Sequence, residues 1–298
     1  VRIRVKASTI NRTDCGFLLG KPYIARLFGG LPKPRYQALG SEFAGIIDAV
    51  GPEVNQWAIG DRVYGYNDAQ FGGHSECMLF SAAGNLVRIP EGMSYIQAAP
   101  LTEGGHYALC NLKAAQIGPN STIMVYGATG AIGSAAVQLA KVLGAHVTAF
   151  CAGAHMELVQ RFQPNALLDY QTTPLSALNQ QVDFFFDSVG KRSFGEVKHL
   201  LKNDGIYIST ELGPRSENPF RGLLGLVTRG KRVLFPIPFA RRHELEWLGQ
   251  CAAKGQFTPL VDRVIPFEDI PDGFRYVLTG QKLGNVVVAV APDAHSTS

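Results

Sequence analysis

The chain has 298 residues, of which 46% are hydrophobic and 17% charged, with a formal net charge of +4. That length implies about two domains of roughly 100–200 residues, and that composition excludes a wholly disordered chain. The basic residues are scattered rather than blocked, so nucleic acid is not the expected partner, and no apolar run reaches the ~18 residues of a membrane span.

Residues 1–8 alternate: Val1, Ile3, Val5 and Ala7 on one side, Arg2, Arg4, Lys6 and Ser8 on the other. Period two predicts a half-buried strand. From there to about residue 96, short apolar runs such as Phe43–Ile47 and Arg62–Tyr66 are broken by Gly and Pro, which reads as mainly β structure. The texture then changes. Helices are expected over 97–116, 135–143, 155–162, 194–201 and 243–254. Strands are expected over 121–126, 146–151, 166–170, 182–189, 205–210 and 231–237. Such alternation predicts βαβ units and a doubly wound parallel sheet. After Gly255 the pattern returns to β, ending in a buried strand over 285–290, with a polar, frayed tail at 292–298. The expected organisation is a nucleotide-binding domain at 97–255 inserted into a discontinuous β domain at 1–96 and 256–298. The cleft between two such domains is the natural ligand site.

Cys15, Cys77, Cys110, Cys151 and Cys251 are odd in number and include no Cys-x-x-Cys pair. They read as free thiols of a reducing, cytoplasmic environment. No signal peptide is visible. The chain opens at Val1 inside a strand pattern, so a missing N-terminal piece is expected.

Gly127-Ala128-Thr129-Gly130-Ala131-Ile132-Gly133 follows a predicted strand and opens a predicted helix. Small residues there admit a pyrophosphate to the backbone, and the helix N-terminus offers it free N–H groups. The end of the next strand carries an acid in NAD-binding proteins. Here it reads Phe150-Cys151-Ala152-Gly153-Ala154-His155, with no carboxylate until Glu157. That leaves space for a 2′-phosphate and predicts NADPH as the cofactor. The Gly153 and Ala154 backbone, His155, Arg161 and Tyr170 are its candidate partners.

Together with these features, Gly40–Gly45, Val50-Gly51, Trp57–Val63, Ala136–Ala140, Leu168–Tyr170 and Phe186–Gly190 make the chain resemble the medium-chain dehydrogenase/reductase superfamily, in its zinc-independent quinone oxidoreductase-like branch. The resemblance implies an α/β fold, a Rossmann doubly wound parallel sheet inserted into a discontinuous GroES-like β domain. It implies a homodimer joined through the last Rossmann strand, here 231–237. It also implies cofactor contacts at Gly127–Gly133, Cys151, Ala152, Gly153, Tyr170, Ser188, Val189 and Thr210.

Zinc-dependent relatives carry Cys, His and Cys where this chain has Asn11, Ser41 and Thr102. None of these is a usual zinc ligand, so zinc-free chemistry is expected. Thr13 matches a proton-relaying hydroxyl of those relatives. Asn11 and Asp14 match polar positions beside the substrate, and both residue types equally cap helices. His106 matches a residue packed on the nicotinamide and is a candidate proton donor or a core histidine. Glu103 can orient it or complement a helix dipole. His74 reads as structural. In 220–242, Phe220, Leu223, Leu224, Leu226 and Val227 stand among Arg221, Arg229, Lys231, Arg232, Arg241 and Arg242. This stretch suits a dimer interface, or peripheral contact with an anionic membrane.

The function expected is NADPH-dependent hydride transfer to a quinone, an α,β-unsaturated carbonyl or a similar small electrophile. The alternatives are a zinc-independent alcohol or ketone reductase and a non-catalytic NADPH-binding redox sensor.

Overall fold

The computed structural model describes residues 1–21, 26, 30, 35–213, 216–225 and 227–290. The tail at 292–298 and Leu226 therefore lie outside the described residues. The chain divides into two compact units, one of 1–103, 240–255 and 261–298, the other of 104–239 and 256–260.

The first unit begins with β1 (Arg2–Ile10). Its outer residues alternate as expected, with Ile3 and Val5 buried and Arg2 and Arg4 exposed. The alternation stops at Ala7, because Ser8 and Thr9 turn inward to bond Glu42. Helix α1 (Arg12–Leu19) follows, then β2 (Glu42–Ala49), β3 (Arg62–Tyr66), β4 (Cys77–Leu79) and β5 (Leu86–Arg88). Ile3, Val5, Phe43, Ile47, Trp57, Val63 and Phe80 form the core under this sheet.

The expected helix over 97–116 is broken. A short helix at Tyr95–Ala98 passes into a 3₁₀ turn, Ala99–Leu101, and α2 begins only at Glu103 and runs to Ala114. Pro100 lacks the N–H a continuous helix requires. Glu103 closes this stretch of the first unit and Gly104 opens the second.

In the second unit, β6 (Thr122–Tyr126) leads into α3 (Ala131–Val142), which starts four residues earlier than the pattern at 135–143 predicts. Strands β7 (His146–Cys151), β8 (Ala166–Asp169), β9 (Val182–Asp187) and β10 (Leu201–Ser209) follow, then α4 (Glu217–Gly225) and β11 (Arg232–Leu234). The six strands are all parallel, in the order β11-β10-β9-β6-β7-β8. The order reverses between β6 and β9, which makes the carboxyl ends of those two strands the ligand-binding crevice of a doubly wound sheet. Met124, Tyr126, Phe150, Phe185, Phe194 and Tyr207 fill one face of the sheet. On α3, the Gln138 amide donates to Thr258 O (3.0 Å) and accepts from Thr258 N (2.9 Å), tying the returning segment 256–260 to this unit.

The chain re-enters the first unit through α5 (Arg242–Ala253), where Tyr64 Oη donates to Leu245 O at 2.6 Å. Then come β12 (Val261–Pro266), α6 (Ile270–Leu278) and β13 (Asn285–Ala289). The returning segment reads as β in sequence, yet it contains α6. Pro271 and Gly273 look like breakers, but Pro stands in the first turn, where its missing N–H has no partner to lose. The first unit's sheet runs β12-β13-β1-β2-β3-β5, with β4 on β1, and is antiparallel except for the β12–β13 pair. Among the described residues no helix is long and apolar enough to cross a membrane.

Candidate active site

In the first unit the polar candidates converge where β1, α1, β2 and the start of α2 meet. Asn11 is the N-cap of α1: its side chain accepts from Asp14 N (2.9 Å), while Asp14 Oδ2 accepts from Asn11 N (3.2 Å). This reciprocal capping box satisfies two otherwise unpaired donors. Asp14 Oδ1 also accepts from the amides of Gly40 and Ser41, both at 3.1 Å, so the carboxylate clamps the loop before β2 onto α1. Asn11 Nδ2 donates to Ser41 Oγ at 2.8 Å. The half-buried Thr13 donates its hydroxyl to Glu103 Oε1 at 3.0 Å, and Ser41 Oγ lies 3.5 Å from Glu103 Oε2.

Below this layer lies Glu42, wholly buried. Its Oε1 accepts from Glu103 N (2.6 Å) and Thr102 Oγ1 (2.8 Å), and its Oε2 accepts from the Thr9 hydroxyl. Burial raises all three carboxyls. Asp14 is pushed up to about 7 against the pull of its backbone donors. Glu42 is raised despite its hydroxyl and amide partners. Glu103 is raised well above the usual range by burial and then by the neighbouring Glu42 and Asp14. Lys282, on the turn before β13, is held below its ordinary value by burial, while Glu103 and Glu42 act to raise it. His74 Nε2–H donates to Thr9 O at 2.8 Å, and burial lowers the ring to about 4. That is the bond of a neutral structural histidine.

The three positions of the zinc ligands thus hold an amide, a hydroxyl and a second hydroxyl, hydrogen-bonded within this cluster. Among the described residues, no group of three His, Cys, Asp or Glu could hold a metal ion.

In the second unit the glycine turn joins β6 to α3. Gly127 adopts φ +88°, and a Cβ on Gly133 would lie 2.1 Å from Gly127 O, so neither position takes a side chain without a shift. Gly130 is the N-cap of α3 and has no side chain to bond the helix. The first bond into α3 runs from Ser134 N to Gly130 O (2.8 Å), which leaves the Ala131, Ile132 and Gly133 amides ahead of the intrahelical ladder. Ser188 Oγ donates to Tyr126 O (2.8 Å), bracing the turn from β9. The Asp187 carboxylate accepts from the amides of Val189, Gly190 and Arg192.

Beyond β7, Cys151 is buried, Ala152 precedes a 3₁₀ turn at Gly153–His155, and Tyr170 N donates to Cys151 O (3.1 Å). The Tyr170 ring lies 5.5 Å from that of Tyr126. Two buried polar atoms at the strand ends have no partner among the described residues: Thr210 Oγ1 beyond β10 and Arg192 Nε beyond β9. Orphaned donors at the strand ends and an open helix terminus after β6 fit an anionic dinucleotide. His106 is buried on α2, with its ring edge-on to Tyr107 at 4.7 Å.

Some of these residues are not singled out by the sequence. Arg192, whose guanidinium stands 4.6 Å from the Tyr126 ring centroid, follows Gly190 by two positions and carried a readable signal as a cation after a strand end. Asp169 is the neighbouring strand's carboxylate, and its Oδ2 lies 2.6 Å from where a Cβ on Gly153 would stand. The Glu42–Glu103 pairing links residues 61 apart and has no local signature.

Residues 1–117 match the family model described as alcohol dehydrogenase GroES-like domain, and residues 165–288 match the one described as zinc-binding dehydrogenase. The latter span contains none of Asn11, Ser41 and Thr102. The chain is similar to a chloroplast envelope quinone oxidoreductase homolog of Arabidopsis thaliana, with 26% identity over 97% of this chain and 89% of that one. It is also similar to a 2-methylene-furan-3-one reductase of Solanum lycopersicum, with 27% identity over 98% of this chain and 72% of that one. The structure of a quinone oxidoreductase from Coxiella burnetii superposes with a TM-score of 0.84 at 23% identity, covering 97% of this chain and 90% of that one. The chain belongs to the medium-chain dehydrogenase/reductase superfamily, whose members are oxidoreductases dependent on a nicotinamide cofactor. Within it, the chain is similar to a quinone oxidoreductase homolog and to an enone reductase.

Proposed function

We propose that this protein is an NADPH-dependent reductase that transfers hydride, without zinc, to a quinone, an α,β-unsaturated carbonyl or a similar small electrophile. The observation that carries this reading is the Thr13 hydroxyl, hydrogen-bonded to the buried Glu103 among Asn11, Ser41 and Thr102 where zinc-dependent relatives carry a metal. A neutral hydroxyl polarises a carbonyl far less than a metal does, so the acceptor must be electrophilic by itself. A relative named a quinone oxidoreductase homolog and another named a 2-methylene-furan-3-one reductase, whose named substrate is an enone, agree with that class.

The cofactor supplies the hydride. Gly127–Gly133 and the α3 amides would hold its pyrophosphate. Gly153 and Tyr170 would meet the adenosine end, and Ser188, Val189, Thr210 and Arg192 the remainder. Asn11 and Asp14 position Thr13 by fixing the first turn of α1. His106, buried on α2, is assigned to the nicotinamide ring. The five free thiols suit a reducing compartment.

The same reading includes a homodimer through β11, which among the described residues ends its sheet with β10 as its one partner strand. Helix α4 seats Gly222 and Gly225 on Phe235 and Val233, and turns Phe220, Leu223 and Leu224 outward with Val227 just beyond its end. These four side chains are 58–80% exposed, a patch suited to a second copy. Purified protein tested for NADPH oxidation against a panel of quinones, enones and simple ketones decides the proposal. Turnover with the first two classes supports it, and NADPH binding with no turnover on any acceptor refutes it.

A further inference from the structure

Glu42 and Glu103 are two buried carboxyls joined through the Glu103 amide, and the reading above uses Glu103 only as the hydrogen-bond partner of Thr13. Both cannot carry full charge in a water-poor site at little cost, so a proton settles on whichever is less well stabilised as an anion. The donors decide between them. Glu42 accepts three hydrogen bonds, from Glu103 N, Thr102 and Thr9, which engage both of its oxygens and stabilise its anion. Asp14 accepts three backbone amides, from Asn11, Gly40 and Ser41. Glu103 has one bond of good length, from Thr13, and a marginal one from Ser41. The proton therefore belongs to Glu103, and the atom next to it is Thr13 Oγ1. Glu103 is 8% exposed and Thr13 half-buried, so the hydroxyl is the end of this pair that a ligand can reach.

We infer that Glu103 is the proton reservoir of the reaction, passing its proton through the Thr13 hydroxyl to the substrate oxygen as hydride arrives at carbon. This rests on the reductase reading above and adds to it the source of the second hydrogen. For an enone, hydride forms a C–H bond at the β-carbon, the C=C π pair shifts, and the carbonyl oxygen takes the electrons. With substrate bound, the Thr13 O–H turns from Glu103 to the substrate oxygen and its Oγ1 accepts from protonated Glu103; the substrate oxygen then takes the Thr13 proton while Thr13 takes the Glu103 proton. The enol then tautomerises to the saturated ketone, and the Glu103 carboxylate regains its proton from water. One hydride and one proton are consumed, and the oxidised cofactor leaves. Glu103 does not touch the substrate; it is a positioning residue acting through Thr13.

The charged groups that bear on Glu103 are Glu42 on β2, Asp14 on α1 and Lys282 before β13. Arg12 and Asp262 act on Lys282 in turn, and the Cys15 thiol feels both Asp14 and Glu103. Burial and the two acids raise Glu103, which favours the protonated form of the reservoir.

The test measures kcat for cyclohex-2-enone with NADPH against pH, in the wild type, Glu103→Gln and Thr13→Val. Wild-type kcat should fall at alkaline pH as the reservoir empties, tenfold per pH unit once past its midpoint. Glu103→Gln should lower kcat on the order of 10²-fold at neutral pH and lose that limb. Its KM and NADPH affinity should stay near wild type, and adding Thr13→Val should cost little more, because the two act in series. An infrared difference spectrum of wild type minus Glu103→Gln at neutral pH should show the C=O band of a protonated carboxyl. Absence of that band overturns the inference whatever the kinetics. Wild-type turnover with an unchanged rate and pH limb in Glu103→Gln defeats the relay alone. Wild type that binds NADPH but reduces neither enone nor quinone defeats the reductase reading, and the relay with it.

Discussion

Asp14 carries one carboxylate oxygen on the Gly40 and Ser41 amides and the other on Asn11 N, so its chemistry is that of an acceptor on both sides. In Asp14→Asn the amide oxygen can keep one side, while Nδ2 must face a donor on the other. The loss expected is about 1–3 kcal/mol of folding free energy, read from denaturant unfolding. The pH dependence has a definite sign. The folded pKa is raised to about 7 from 3.8, so the stability this group contributes is full below about 4 and is lost as pH rises towards 7. The difference between wild type and variant should therefore shrink across that window, and parallel curves would contradict the assignment. The Asn-x-x-Asp spacing made the cap legible in sequence, because capping is local. The acid pair was not legible, since Glu42 and Glu103 meet only when β2 and the start of α2 are packed together. Read alone, Glu103 looked like a partner for His106 or for a helix dipole.

At the scale of elements, the parallel sheet followed from alternating strand and helix texture, and the glycine turn from small residues between β6 and α3. The elements that escaped were those where a breaker sits in a permitted place: Pro271 in the first turn of α6, and Pro100 splitting the run before α2. The end of β7 yields two cofactor predictions. Ala152→Asp should shift preference from NADPH towards NADH, through repulsion of the 2′-phosphate and a new ribose acceptor. Asp169, on β8, would oppose a 2′-phosphate held at Gly153, since its carboxylate lies against Gly153 and also helps raise the Cys151 thiol to about 11, after burial. Asp169→Asn should then tighten NADPH several-fold and leave NADH nearly unchanged in a fluorescence titration. Equal tightening of both cofactors would place the phosphate away from Gly153.

At the scale of the whole molecule, α4 and β11 bear on assembly. Leu223→Glu with Val227→Glu removes apolar surface from the outward face without touching the glycines that seat the helix. Sedimentation velocity should show a dimer for the wild type and a shift to monomer for the double variant. A wild-type monomer that pellets with anionic vesicles would assign the patch to a membrane surface instead. The proposed chemistry is a metal-free reduction driven by NADPH. The measurement that tests it most directly is NADPH oxidation with a quinone or enone by protein dialysed against a strong chelator and then analysed for zinc. Far less than one zinc per chain is expected, with turnover equal to that of the undialysed protein and greater with NADPH than with NADH. Turnover lost on chelation and restored by added zinc would contradict it.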